Sequence, residues 1–191
     1  MKLVTAEKGR SSEEQQQLQA VFTQYYPWAL QRGELALSLL LGSGYTDLAD
    51  YEQEQGRFIH GDVAARNFIV AGRQGQNDLQ GFLIDFDYAR YDLQMIDLAR
   101  YIERCLRMSN FHLPYFYQIV KLYQQWNPIN KQQRQVLAAQ LLFPQKFWRL
   151  SQRWLTDRDE TAVSLRRFGY LEKSRQEEAA FLQAVEKELL Y

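Results

Sequence analysis

Apolar positions recur at helical spacing along most of the chain and give way to two brief continuous runs near its middle. Leu18, Val21, Phe22 and Tyr25 mark one face of a helix, with Ser11 and Glu14 ahead of them as a capping box. Pro27 is expected to end that helix and open the next at its first turn. Leu35 to Leu41 is apolar nearly all round, as in a buried helix, and Gly42-Ser43-Gly44 stops it. Thr46 is placed to cap a short helix ending at Gly56. Beyond the middle, Ile96, Ala99, Ile102 and Leu106 share a helix face. Pro114 opens a helix carrying Phe116, Ile119, Val120 and Tyr123. Asn130 with Gln133 caps one carrying Val136, Leu137 and Leu141. Phe143 to Leu150 begins another, and Ser174 with Glu177 forms a further capping box before Phe181, Val185 and Leu189.

The exception is the stretch from Phe58 to Asp87. Phe68-Ile69-Val70 and Phe82-Leu83-Ile84 are short, β-branched or aromatic, and built like buried strands. Gly72 to Asp78 between them is rich in turn formers, so the pair predicts a hairpin. The fold class is therefore α+β and mainly α, one domain over residues 1–191 with a β insert at about 57–85. A hairpin brings its outer ends together. Asp62 and Asn67 precede the first strand and Asp85 follows the second, so these oxygen-bearing side chains are expected to meet.

Phosphoryl transfer fits that set. Mg²⁺ takes carboxylate, amide and phosphate oxygens, so Asn67 and Asp85 are expected to converge within one metal's reach. Asp62, on the same side, can orient a substrate hydroxyl and accept its proton. A lone Asp-Asn pair would be read as loop capping; Asp85 at the far end of the hairpin reverses that preference. Asp97, among apolar neighbours at the start of a helix, is either an exposed first-turn acid or a buried anchor for the loop.

Composition narrows the classes. Lys+Arg and Asp+Glu balance at 23 each, which argues against nucleic-acid or anionic-membrane partners. No apolar run is long enough to span a bilayer and no signal core opens the chain, so a cytoplasmic protein is expected. The one cysteine, Cys105, cannot form an internal disulfide and lies on an apolar stripe, as a buried small residue would. His112 carries no signal.

The string HGDVAARN at His60 to Asn67, followed by IDFD at Ile84 to Asp87, resembles the kinase-like superfamily of aminoglycoside and choline phosphotransferases and protein kinases. Gly61 stands where a regulated protein kinase has an Arg, DFD replaces DFG, and Asp97 arrives in a DLAR context as in the aminoglycoside phosphotransferase branch. IDFDYARYDLQMIDLARYI at Ile84 to Ile102 and FPQKFWRL at Phe143 to Leu150 are similar to the CotS family of bacterial spore coat proteins. The resemblance covers about Leu18 to the last helix. It implies Asp62 as catalytic base, Asn67 and Asp85 as Mg²⁺ ligands, Asp97 as a brace, and His60 as a packing and hydrogen-bonding residue of the loop. It also implies ATP as phosphoryl donor.

Family members precede these motifs with a lobe of strands that covers the nucleotide. Here everything before residue 60 reads as helices of the C-terminal lobe, and Gly42-Ser43-Gly44 as a turn. Two functions follow from the resemblance. One is a structural or binding module of a spore coat, favoured for the chain as given, with a homodimer or coat protein as partner. The other is an ATP- and Mg²⁺-dependent phosphotransferase acting on a small-molecule hydroxyl, with the missing lobe supplied elsewhere. Removal of a lobe is expected to bare the first helix, at Leu18, Val21, Phe22 and Tyr25. Tyr115, Tyr117, Trp126, Trp148, Arg149 and Trp154 could stack on a sugar or ring, though most are read as packing residues. No dense acidic patch awaits a polycationic antibiotic.

Overall fold

The computed structural model describes residues 12–72, 80–156 and 161–190. Helices α1 (Ser12–Ser43) and α2 (Tyr45–Glu54) lead into strand β1 (Phe58–Ile59), a 3-10 turn at Ala65–Asn67, and strands β2 (Phe68–Ala71), β3 (Gln80–Leu83) and β4 (Arg90–Tyr91). Helices α3 (Gln94–Met108), α4 (Leu113–Trp126), α5 (Lys131–Leu142), α6 (Gln145–Leu155) and α7 (Thr161–Leu190) complete it. The fold is α+β and mainly helical.

The main core joins α3, α4, α5 and α7. Leu98, Ile102 and Leu106 of α3 meet Phe116 of α4, Val136 and Leu137 of α5, and Phe181 and Val185 of α7. Burial of such side chains is worth about 1.5–3 kcal/mol each, which is why the apolar spacing predicts these elements well. A smaller cluster packs Leu18, Tyr25 and Ala29 of α1 against Phe147 and Leu150 of α6 and Phe168 of α7. Asn130 and Gln133 form the expected capping box at the start of α5.

Several expectations need correction. Pro27 does not break the first helix, which runs unbroken through Ser43. Pro27 and Thr23 both face solvent, so the carbonyl that loses its amide partner is open to water. The Leu35–Leu41 segment is not buried all round, since Leu37 and Leu41 are exposed. Gly44, in the left-handed conformation, precedes α2 in place of a Thr46 cap. The last helix passes straight through Ser174 and Glu177, so no cap interrupts it; Ser11 lies outside the described residues. Leu18 and Tyr25 are buried, with Val21 and Phe22 packed beside them, so the face expected to be bared is covered; the exposed apolar residues of this helix are Tyr26, Leu30, Leu37 and Leu41.

The strands carry exposed apolar surface as well. β2 and β3 pair antiparallel from Phe68↔Leu83 to Ala71↔Gln80. Gly72 bends away at the end of β2, while residues 73–79 of the connecting segment lie outside the described residues. Contrary to the buried strands expected, Phe68, Ile69, Val70 and Phe82 are exposed, Val70 at 68%. Three apolar residues in a row cannot all face one side of a pleated strand, and among the described residues this ribbon has no third strand. A second, unanticipated ribbon pairs β1 with β4, Phe58↔Tyr91 and Ile59↔Arg90, so strands extend beyond the expected 57–85.

Candidate functional site

The loop from His60 to Asn67 hangs from the first turn of α3. Asp97 accepts from the backbone N–H of His60 at 2.6 Å (Oδ2) and of Gly61 at 3.0 Å (Oδ1). Of the two roles open to Asp97, this is the anchor. The start of α3 is fixed in turn by Asp92, whose Oδ1 accepts from Tyr45 Oη at 2.7 Å and from Leu93 N at 2.9 Å. Burial, and then the hydrogen bond to Asp92, push the Tyr45 hydroxyl up to about 12, so it stays a donor.

His60 is buried and braces the loop against the end of β3. Its Nε2 donates to Ile84 O at 2.8 Å and its Nδ1 accepts from Asp62 N at 3.2 Å, which fixes the tautomer. Its ring lies 4.7 Å from that of Phe86. Gly61 has φ +81°, and a Cβ there would come within 2.3 Å of Tyr88 O. Only glycine fits that position.

Asp62 is half-buried and its carboxylate is held from two sides. Arg104 Nη2 donates to Oδ1 at 2.7 Å, and Arg66 donates to Oδ2. The Arg104 hydrogen bond, with the charges of Arg104 and Arg66 and against the opposing effect of burial, holds the carboxyl below its ordinary range. It is therefore ionised at neutral pH, as a proton acceptor must be. Asn67 is 3% exposed and gives Nδ2 to Asp62 O at 2.9 Å and to Asp62 Oδ2 at 3.3 Å.

Asn67 O also accepts from Ile84 N at 3.0 Å, extending the β2–β3 register by one pair. Asp85 is thus the next residue after Asn67's partner. It is exposed, with φ +70°. A non-glycine residue in that region costs on the order of 1–3 kcal/mol, and such outliers concentrate at ligand sites. With Nδ2 committed to Asp62, Asn67 has its amide oxygen left for a cation, and Asp85 offers a carboxylate. Both are hard oxygen donors of the kind Mg²⁺ takes, so the donor set fits the metal. Among the described residues no group of three His, Cys, Asp or Glu side chains forms a self-sufficient metal cluster.

Sequence reasoning missed the cations. Arg100 donates through Nη1 to Gly61 O, so Arg100 and Arg104 both grip the loop that Asp97 carries. The signal was available: residues 97, 100 and 104 share one face of a helix. Of the aromatic residues considered for substrate stacking, Tyr115, Tyr117, Trp126 and Trp148 are exposed, Trp126 at 84%, and so are not the packing residues expected. Cys105 is only partly buried.

The sequence profile of the APH phosphotransferase enzyme family matches residues 4–111, more than half of the chain. The chain belongs to the phosphotransferase enzyme family. Its fold is similar to that of the crystal structure of an aminoglycoside phosphotransferase from Alicyclobacillus acidocaldarius, with a TM-score of 0.71 at 17% identity. That likeness covers 93% of this chain but 56% of the other, so this family member spans little more than half the length of the structure it matches. No curated protein matches it. No helix among the described residues is long and apolar enough to cross a membrane.

Proposed function

We propose that the chain is the acceptor-binding, C-terminal-lobe half of a CotS-type phosphotransferase, which transfers the terminal phosphoryl group of ATP to a hydroxyl of a small molecule. The observation that supports this best is the state of Asp62: an ionised carboxylate, held in place by Asn67 and by a loop that Asp97 anchors. Asp62 takes the hydroxyl proton. Asn67 and Asp85 hold Mg²⁺, which neutralises charge on the phosphates when bound. His60 and Asp97 act only by position.

The described residues around this site include no lysine ion-paired or hydrogen-bonded to it that could hold the triphosphate. In this proposal that group comes from a nucleotide-covering lobe seated on the exposed β2–β3 ribbon. The bared Phe68, Ile69, Val70 and Phe82 also favour a second reading, a binding module that assembles by this face into a larger structure such as a spore coat, as a homodimer or with a coat protein. Calorimetric titration with ADP in the presence of Mg²⁺ or EDTA separates the two. Nucleotide binding that requires Mg²⁺ and weakens about tenfold or more in Asp85→Ala supports the phosphotransferase. Absence of binding, with sedimentation showing self-association, supports the module.

A further inference from the structure

One side of α3 is a row of charge that starts at the Asp62 loop. Arg100, Glu103, Arg104 and Arg107 follow at helical spacing, opposite the apolar stripe of Leu98, Ile102 and Leu106. Arg100 and Arg104 hold Gly61 O and Asp62. Farther along, Arg107 Nη2 lies 3.5 Å from Glu103 Oε2. Neighbouring helices add Lys146 and Arg149 from α6 and Glu178 from α7. Burial pushes the Glu103 carboxyl up; Glu178 adds to this, while Arg107, Arg149 and Arg100 oppose it. Burial likewise raises Glu178, against Arg107, Lys146 and Arg32. Lys146 is pushed down by burial and then by Arg107. These side chains therefore share one field.

That field has an excess of positive charge. Among the described residues, Arg66, Arg100, Arg104, Arg107, Lys146 and Arg149 face Asp62, Asp97, Glu103 and Glu178, in a chain whose formal net charge is +0. Arg32, at the margin, is already paired with Glu186. Gripping the loop accounts for Arg100 and one nitrogen of Arg104. It leaves Arg104 Nη1, which is buried and donates no hydrogen bond among the described residues. Nor do Lys146 and Arg149 have an ion-pair partner among the described residues, and Arg149 is exposed. Buried donors in native proteins are nearly always matched, so an unmatched guanidinium nitrogen beside surplus cations calls for an anion.

We propose that this row seats an anionic group of the phosphoryl acceptor: a small polyol or hydroxy acid bearing a phosphate or carboxylate. The hydroxyl lies at Asp62 and the anion on Arg104, Arg107 and Arg149. The proposal rests on the phosphotransferase role given to Asp62 above. Arginine forks match the oxygens of either anion. Three helical residues from Arg104 to Arg107 span about 4.5 Å, which keeps the acceptor small. The same field repels a polycation.

Titration calorimetry of the full chain with glycerol 3-phosphate, glycerate, glycerol and choline tests it. At least one of the anions is expected to bind about tenfold or more tightly than glycerol, with choline weakest, and to weaken as salt is added. The phosphate and carboxylate arms show which anion is preferred. Arg107→Gln and Arg149→Gln, each checked for helicity by circular dichroism, are expected to lose about tenfold of the anion's affinity; exposed Arg149 makes a folding defect in the second variant easy to avoid. Equal binding of glycerol and both anions, or anion affinity unmoved in both variants, overturns the proposal. Anion binding without any Mg²⁺-dependent ADP binding keeps the anion row but removes its acceptor role, along with the phosphotransferase itself. Mg²⁺-dependent ADP binding without anion preference leaves the phosphotransferase and removes this acceptor.

Discussion

The loop from His60 to Asn67 and the β2–β3 ribbon adjoin in sequence but are held by different forces. In the loop, His60 N and Gly61 N bond to Asp97, His60 Nε2 to Ile84 O, and Asn67 Nδ2 to Asp62. Each partner is a specific group at a specific distance. The ribbon is held by its own strand pairing, and its apolar side chains face outward. The loop has been built to fix the position of one carboxylate. The ribbon leaves Phe68, Ile69, Val70 and Phe82 open to solvent.

The contrast can be broken by substitution. Gly61→Ala is expected to have the largest effect, more than about 3 kcal/mol, because left-handed strain adds to a clash with the Tyr88 backbone. Thermal unfolding measures it, and a melting point close to the parent's would mean the loop can move away. Next comes Asp97→Ala, at about 2–3 kcal/mol, since two backbone donors lose a charged acceptor. An unchanged melting curve would show that the loop does not depend on α3. The smallest effect is expected from Val70→Thr, within about 0.5 kcal/mol, because Val70 lies open to solvent and Thr keeps the β-branch. A drop as large as that of Asp97→Ala would show that the ribbon face is covered in solution, and sedimentation would show whether a second copy covers it.

What could be read from the sequence divides along the same line. The helices of the core were legible because each apolar stripe has a counterpart to bury against, as Ile102 and Leu106 do with Phe116. Asp62, Asn67 and Asp97 were legible because the loop and α3 sit at motif spacing. The ribbon's strands were legible as strands but not as exposed, because apolar runs look alike whether their partner is within the chain or outside it. Pro27 misled because the carbonyl it orphans, that of Thr23, is open to water, which lowers the cost of a proline inside this helix. Arg66, Arg100 and Arg104 were missed because a single arginine on a helix is usually just a solvated charge, and only the fold shows all of them turned toward Asp62 and its loop.

The Gly61 contact has a consequence for control. Any side chain at this position would run into Tyr88, so the loop has no room for the arginine through which a regulated protein kinase senses a phosphorylated segment. Covalent marking of a neighbouring loop thus has no arginine at position 61 to act through. On the reading proposed above, the supply of ligand or the arrival of a partner on the ribbon would set when this site works.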